Sequence, residues 1–272
     1  MKLFSILAVL LLVKYSALGQ CFNDNFAFQE GEVLSYEIYY NLGVIWLNAG
    51  YVDFKVKDGV YKSRPIYHFD GYGATYKSYD WIFKVRDHYQ CYFDKENLHP
   101  LWFHRQNYEG GFEVDYKYLF DQENNLVFSY TQNSDRPFRK DTVPVDPCTF
   151  DVMSLIYYAR NLDFNGLTPG DSIPVKAFID NEMYDLYIRY LGREEVETRD
   201  DKRFKCIKFS ALLVQGTIFE GGENLYVWVT DDRNRVPVIV DAKILVGSIK
   251  TMLKSTEGLR NKSTALVKIQ EK

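Results

Sequence analysis

The 272-residue sequence predicts a mainly β protein, a large antiparallel sheet or barrel with one inserted helix at about residues 147–161. Three observations carry this. Short strand-like runs follow one another at even spacing, which favours a meander over βαβ units. Aromatic residues make up 17% of the chain, with 22 Tyr and 19 Phe, and such side chains suit a pleated, half-buried surface. Finally, Gly221 to Leu253 reads as a strand, a turn and one returning strand. Leu225, Val227 and Val229 alternate with Tyr226, Trp228 and Thr230. Asp231 to Arg235 then supply turn residues, and a β-branched run returns from Val236. Pro237 cannot donate to a ladder, so it belongs at the start of that second strand or on an unpaired edge position. Large side chains on both faces of the first strand predict that each face is covered.

In order along the chain, strands are expected at Val33–Tyr40 and Val44–Val56, with a turn at Asp58-Gly59-Val60 and extended structure from there to Phe69. Gly71 to Thr75 is interrupted by glycines and suggests a bulge or bend. Tyr79–Phe93 reads as one long strand, and Leu101–Tyr108, Phe112–Phe120 and Leu126–Thr131 as shorter ones. Asp146 as N-cap and Pro147 at the first helical position open the helix. In it Val152, Leu155, Ile156 and Ala159 form an apolar stripe at i, i+3, i+4 and i+7. Strands resume at Ser172–Ile179, Met183–Leu191, Phe204–Leu213 and Thr217–Phe219, with hairpin connections at Asp180-Asn181 and Gly221-Gly222. Ser255–Lys272 reads as a short strand or a loose tail. No linker or repeat divides the chain, so residues 20–272 are read as a single domain.

Compartment is read from the N-terminus. Lys2, the apolar run Leu3–Val13 and the small residues of Ala17-Leu18-Gly19 have the layout of a signal peptide, residues 1–19. The apolar run is too short to span a bilayer. Gln20 stands where a bacterial lipoprotein signal wants a small residue before its cysteine, so plain export to the periplasm or cell envelope is expected. Of the cysteines, Cys21 and Cys148 lie in polar, loop-like surroundings and are the expected disulfide; Cys91 and Cys206 lie inside strand patterns, as small buried hydrophobes do. The charge is mixed in sign, with a net of −4 and no clustered basic face, which excludes a nucleic-acid partner.

Several motifs, in this order, resemble an exported bacterial family catalogued as domain of unknown function 3108. They are Phe28-x-x-Gly31-Glu32-x-Leu34-x-Tyr36, Ala49-Gly50, Asp151-x-x-Ser154-x-x-Tyr157-Tyr158-x-Arg160 and Trp228-x-Thr230-x-Asp232-x-x-Arg235-x-Pro237. The resemblance covers most of the chain after the signal peptide. It implies a large, strongly bent antiparallel sheet or open β-barrel and an envelope location, and it supplies no catalytic residue.

Candidate site residues come from the residues themselves. Period two places Asp80, Lys84, Arg86 and His88 on one face of the expected Tyr79–Phe93 strand, a row suited to an anionic or sugar-like group; the blander reading is a solvated face laced with ion pairs. Trp46, Trp81, Trp102 and Trp228 are candidate walls of a pocket, or simply core. Tyr157 and Arg160, three apart on the helix, face a cavity together or cap the helix–sheet interface. The four histidines lack metal-ligand spacing, and no nucleophile elbow, phosphate loop or dinucleotide fingerprint appears. No metal, cofactor or catalytic residue is therefore expected. The leading expectation is a non-enzymatic binding module for an apolar or glycan-like envelope ligand. The alternatives are a structural or protein-partner envelope component, an outer-membrane barrel, or an envelope-polymer hydrolase. A barrel is disfavoured by the mid-chain helix and the non-aromatic end Gln270-Glu271-Lys272, so the chain is expected not to span the membrane. The expected partners are thus a lipid or glycan ligand or an envelope protein.

Overall fold

The computed structural model describes residues 24–42, 45–213, 222–244 and 247–269. Eight strands open the chain: β1 (Val33–Leu42), β2 (Ile45–Tyr61), β3 (Arg64–Thr75), β4 (Val85–Asp94), β5 (Pro100–Glu109), β6 (Phe112–Asp121), β7 (Leu126–Asn133) and β8 (Arg136–Pro144). Each pairs antiparallel with the next. A two-residue strand β9 (Thr149–Phe150) and the helix α1 (Val152–Ala159) follow. The second half is β10 (Ser172–Ile179), β11 (Glu182–Glu197), β12 (Lys202–Leu213), β13 (Gly222–Thr230), β14 (Pro237–Lys243) and β15 (Ser248–Glu257). β15 pairs antiparallel with β1, which joins both halves into one sheet, and β16 (Leu266–Ile269) adds to β12. Among the described residues, β8 and β9 end the sheet without pairing to each other. The β10–β11 turn still reaches the far half: Arg105 Nη1 donates to Asp180 Oδ1 at 2.9 Å, and Asn181 Nδ2 to Asp141 Oδ2 at 3.2 Å. The sheet therefore curls on itself, held at this seam by side chains rather than by a backbone ladder.

The β13–β14 hairpin has the expected form, with Pro237 the first residue of β14. Val227 and Val229 enter the main core, while Trp228 packs on a second cluster that includes Cys206, Val238 and Leu253. Both faces are covered, as the alternation required. The extended run after the turn breaks at Lys243 and resumes at Ser248 as β15. The residues expected to form the signal peptide, together with Cys21, Thr217–Phe219 and Gly221, lie outside the described residues.

Four expectations of local structure are corrected. Asp58, Gly59 and Val60 are not a turn: the β2–β3 ladder runs unbroken to Tyr61↔Arg64, and the chain reverses at Lys62-Ser63 with φ of 49° and 65°. That is the two-residue turn with positive φ that matches strand twist, and Asp180-Asn181 (50°, 70°) repeats it as expected. The strand expected from Tyr79 begins only at Val85. Before it, a 3₁₀ turn at Lys77–Tyr79 is closed by Tyr79 N and Asp80 N donating to Tyr76 O and Lys77 O, and a second turn by Ile82 and Phe83 N–H groups donating to Tyr79 O. Gly71 and Gly73 make no bulge, since β3 pairs with β4 in continuous register. Gly71 is instead required by close packing: a Cβ there would lie 2.5 Å from Met153 Cε on α1.

The helix is the fourth correction. It has eight residues, not about fifteen, and its N-cap is Asp151 rather than Asp146. Asp151 Oδ1 accepts from Met153 N and Ser154 N, both at 2.9 Å, satisfying two of the end's free amides. Upstream, Thr149–Phe150 pairs in parallel with Lys176–Ala177, which holds those residues extended and excludes an earlier start. The buried face is Met153, Ser154, Tyr157 and Tyr158, not the expected stripe, and Ile156 is 39% exposed. Aromatic stacking decides this: Tyr157 lies on Phe69 at 3.7 Å between ring centroids, and Tyr158 on Phe150 at 4.2 Å. α1 thus packs against β3, β4, β9 and β10 and fills the hollow of the sheet with aromatic rings.

Candidate functional site

Away from the helix, the inner face of the sheet changes character. Cys91 and Phe93 on β4 and Phe103 on β5 belong to the core, so strand alternation points Asp87 and Tyr89, and Arg105, Asn107 and Glu109, to the same side. Polar residues therefore occupy inward positions toward one end of β4 and β5. Asn107 is 4% exposed, and its Nδ2 donates to Tyr89 Oη at 2.9 Å and Glu109 Oε1 at 3.0 Å. On the next strands, Asn133 Nδ2 donates to Tyr116 Oη at 2.8 Å. The Arg105 guanidinium lies 5.7 Å from the Tyr89 ring centre and 6.0 Å from that of Tyr116. Yet Asp87 Oδ1, Asn107 Oδ1, Arg105 Nε, Ser129 Oγ and Asn181 Oδ1 are buried without a hydrogen-bond partner. Such groups are rare in folded proteins, and their gathering here marks a place for further polar atoms.

Electrostatics follow the same geometry. Burial, reinforced by the Glu109 carboxylate, pushes Asp87 up to about 7, against Arg105 and a hydrogen bond from the Tyr108 backbone. Burial likewise raises Tyr89 to about 12. A cleft of about 580 Å³ crosses β4–β7 at this end, lined by Asn107 and Asn133 at inward positions and by Arg86, Gln106, Tyr108 and Asp115 at outward ones. It offers hydrogen-bond donors and acceptors with one aromatic ring. Among the described residues, no three His, Cys, Asp or Glu side chains stand close enough to hold a metal ion.

The residues singled out in the sequence are scattered. Arg86 lines the cleft and pairs with Asp80 at 2.6 Å, although Asp80 lies in the turn before the strand. His88, at the same outward parity as Arg86, bonds Asp70 at 2.8 Å, and Lys57 also reaches Asp70. The expected row of Asp80, Lys84, Arg86 and His88 is thus cut short by the turn, and its strand part carries ion pairs. The four tryptophans do not converge. Trp46 lies under Lys250, Trp102 stacks on Tyr92, and Trp228 donates its indole N–H to Glu194 at 2.5 Å. Trp81 is 83% exposed at the tip of the β3–β4 turn. Asp87, Arg105 and Asn107 were not singled out. The signal that finds them is polarity at inward parity, since each continues the alternation that buries Cys91 or Phe103.

Tyr157 and Arg160 belong to a different, closed cluster. Arg160 is buried and grips Glu32 with two bonds of 2.5 and 2.8 Å. It also donates to the backbone oxygens of Ala27 and Asn234, and its guanidinium lies 5.6 Å from the Phe28 ring centre and 5.5 Å from that of Tyr157. Beside it, Thr230 Oγ1 pairs with Asp232, which holds Asn234 N, while at the other end of the helix Asp151 accepts from Ser154 and Cys91. Phe28 and Glu32, Tyr157 and Arg160, and the turn at Thr230–Asn234 thus meet in one buried cluster between the N-terminal segment, α1 and the β13–β14 turn. Apart from the Tyr157 hydroxyl, which is buried without a partner, its polar side chains bond to one another or to backbone, and it anchors the helix. Cys91 and Cys206 are free and buried, while Cys148 is half-buried with φ 64°.

A model of the family described as "Protein of unknown function (DUF3108)" matches residues 35–254. No curated protein matches the chain. Among solved structures, a β-barrel-like protein of domain of unknown function DUF1849 from Brucella abortus is similar. It superposes with a TM-score of 0.55 at 10% identity, over 85% of this chain and 99% of that one, which is likeness of fold alone.

Proposed function

The chain belongs to the family of unknown function DUF3108, and from that premise we propose that it is an exported envelope protein that binds a polar, hydroxyl-rich, glycan-like ligand at the β4–β7 end of its sheet. The observation that carries the reading is Asn107, which lines the open polar cleft with its buried Oδ1 unpartnered, beside the equally partnerless Asp87 Oδ1 and Arg105 Nε at neighbouring inward positions of β4 and β5. A ligand bearing both donors and acceptors satisfies such atoms, and an apolar one leaves them unpaired at a cost of about 1–3 kcal/mol each. The interior space an acyl chain would need is filled by stacked rings such as Phe69, Tyr157, Phe103 and Tyr118. Of the two ligand classes expected from the sequence, the glycan-like one therefore has the better support.

The remaining parts of the reading rest on the sequence. Leu3–Val13 and Ala17-Leu18-Gly19 support export, and Cys21 with Cys148 is the proposed disulfide. Ion pairs such as Lys57–Asp70 and His104–Asp115 on the strands support a face turned to water rather than to lipid. Among the described residues no helix is long and apolar enough to cross a membrane.

Native mass spectrometry of the protein purified from its own envelope fraction, beside envelope glycan and lipid extracts, tests the proposal. The expected result is an adduct with the glycan extract that Asn107→Ala weakens about tenfold, the loss of one buried polar anchor. An adduct formed only with lipid, or a glycan adduct indifferent to Asn107→Ala, overturns it.

A further inference from the structure

The turn between β3 and β4 puts three consecutive apolar side chains into solvent: Trp81, Ile82 and Phe83 are 83%, 60% and 49% exposed. Lone exposed apolar residues are ordinary, but a contiguous group ending in a tryptophan is not. The tip is also held firmly. Ile82 N and Phe83 N both donate to Tyr79 O, Asp80 is bonded by Thr75 Oγ1 and Arg86, and the Phe83 ring packs on Gly110, where a Cβ would come within 2.3 Å. Its shape is therefore fixed before anything binds. Ile45, also exposed, begins β2 at the same end of the sheet, as the bond from Tyr76 N to Ala49 O shows. Exposed Lys77 and Lys84 flank the three residues on either side in sequence, and the one acid between them, Asp80, is neutralised by Arg86.

We infer that this tip is a membrane-surface anchor, inserted into the headgroup region of a bilayer containing anionic phospholipid. A protruding wedge of Trp, Ile and Phe between two lysines has the chemistry of that interface: the rings and the branched chain enter the acyl boundary, and the ammonium groups meet lipid phosphates. A protein partner would call for a pocket fitted to the wedge, whereas a bilayer accepts it without one. The anchor adjoins the polar cleft, since Arg86 of the cleft lining bonds Asp80 of the tip and Lys84 lies 4.9 Å from the Tyr108 ring centre, and insertion of the tip alone leaves the rest of the sheet outside the membrane.

Co-sedimentation with vesicles tests this. The chain with its own N-terminal segment is mixed with vesicles of phosphatidylcholine alone or with 30% phosphatidylglycerol (about 30% being enough to give a strongly negative surface). Wild type is expected to bind the anionic vesicles, and Trp81→Ser to lower the partition coefficient about tenfold, as when one large apolar side chain stays in water. Lys84→Glu is expected to weaken binding only to the anionic vesicles. Val60→Ser, a change at a residue 74% exposed near the opposite end of the sheet, is expected to leave binding unaltered. Lipids brominated on the acyl chain should quench wild-type fluorescence more than that of Trp81→Phe. Absence of binding, binding equal in wild type and Trp81→Ser, or loss of self-association rather than vesicle binding in Trp81→Ser each overturns the inference.

Discussion

Asp87 shows most directly how burial sets chemistry at a single residue. Its carboxyl sits at an inward position beside Glu109, and burial lifts it to about 7, well above the unfolded value. The sign of the linkage follows. The stability that comes with its proton is fully present below about pH 4, and falls as pH rises through about 7, because the folded state must then carry a buried charge. Asp151 acts the same way over a narrower window, since burial raises it to about 6 despite four hydrogen-bond donors. Asp87→Asn is therefore expected to raise stability at pH 8 by roughly 1–3 kcal/mol and to change it little at pH 4. Urea melts at the two pH values check this. Equal effects at both would show that the Asp87 carboxyl carries no burial penalty.

At the scale of the element, α1 is a short helix kept in place by its surroundings. Eight residues are too few to be stable alone. What fixes them is the Asp151 cap at one end, Arg160 just beyond the other, and Tyr157 against Phe69. Gly71 makes that contact available, since only a residue without a side chain lets Met153 reach β3. Gly71→Val is expected to cost about 2 kcal/mol through overpacking. Met153→Ala in the same chain should restore part of the loss, because it removes the atom that clashes. Chemical denaturation of the three variants measures the coupling. Strictly additive losses would place Gly71 and Met153 out of contact.

On the scale of the whole molecule, the sheet is open along its ladders and closed by side chains. β8 and β9 remain edges, and Asp180 and Asn181 bridge toward β5, β6 and β8. The other closure is the ion pair of Arg160 with Glu32, residues 128 positions apart, which joins the N-terminal segment to the helix while the Asn234 carbonyl adds the β13–β14 turn. Arg160→Ala should lower unfolding free energy by about 3–5 kcal/mol, because it leaves the Glu32 carboxylate buried and unpaired. Replacing both partners, Arg160→Met with Glu32→Gln, should cost less than that single change. A double replacement as damaging as Arg160→Ala would assign the loss to packing instead.

Much of this was written into the chain locally. Alternation and β-branched composition determine strand identity, so β10 and the β13–β14 hairpin fall where the sequence puts them, and Asp180-Asn181 turns as its residue types require. The mainly β class and the single inserted helix follow from the same periodicities. What tertiary structure decided is every choice where two local patterns were equally good. Alternation from Tyr79 continued the β4 pattern, but hydrogen bonds to Tyr79 O closed a turn and left Trp81 at its tip. Asp146-Pro147 was the expected helix start, but pairing of Thr149–Phe150 with β10 holds those residues extended and moves the start to Asp151. The candidate site lay beyond the sequence for a related reason. Asp87, Arg105, Asn107 and Asn133 come from three strands, and only pairing and curvature bring them together. A period of two says which face each residue takes; it does not say that the face is the inside of a curled sheet, where an unpaired polar atom is costly.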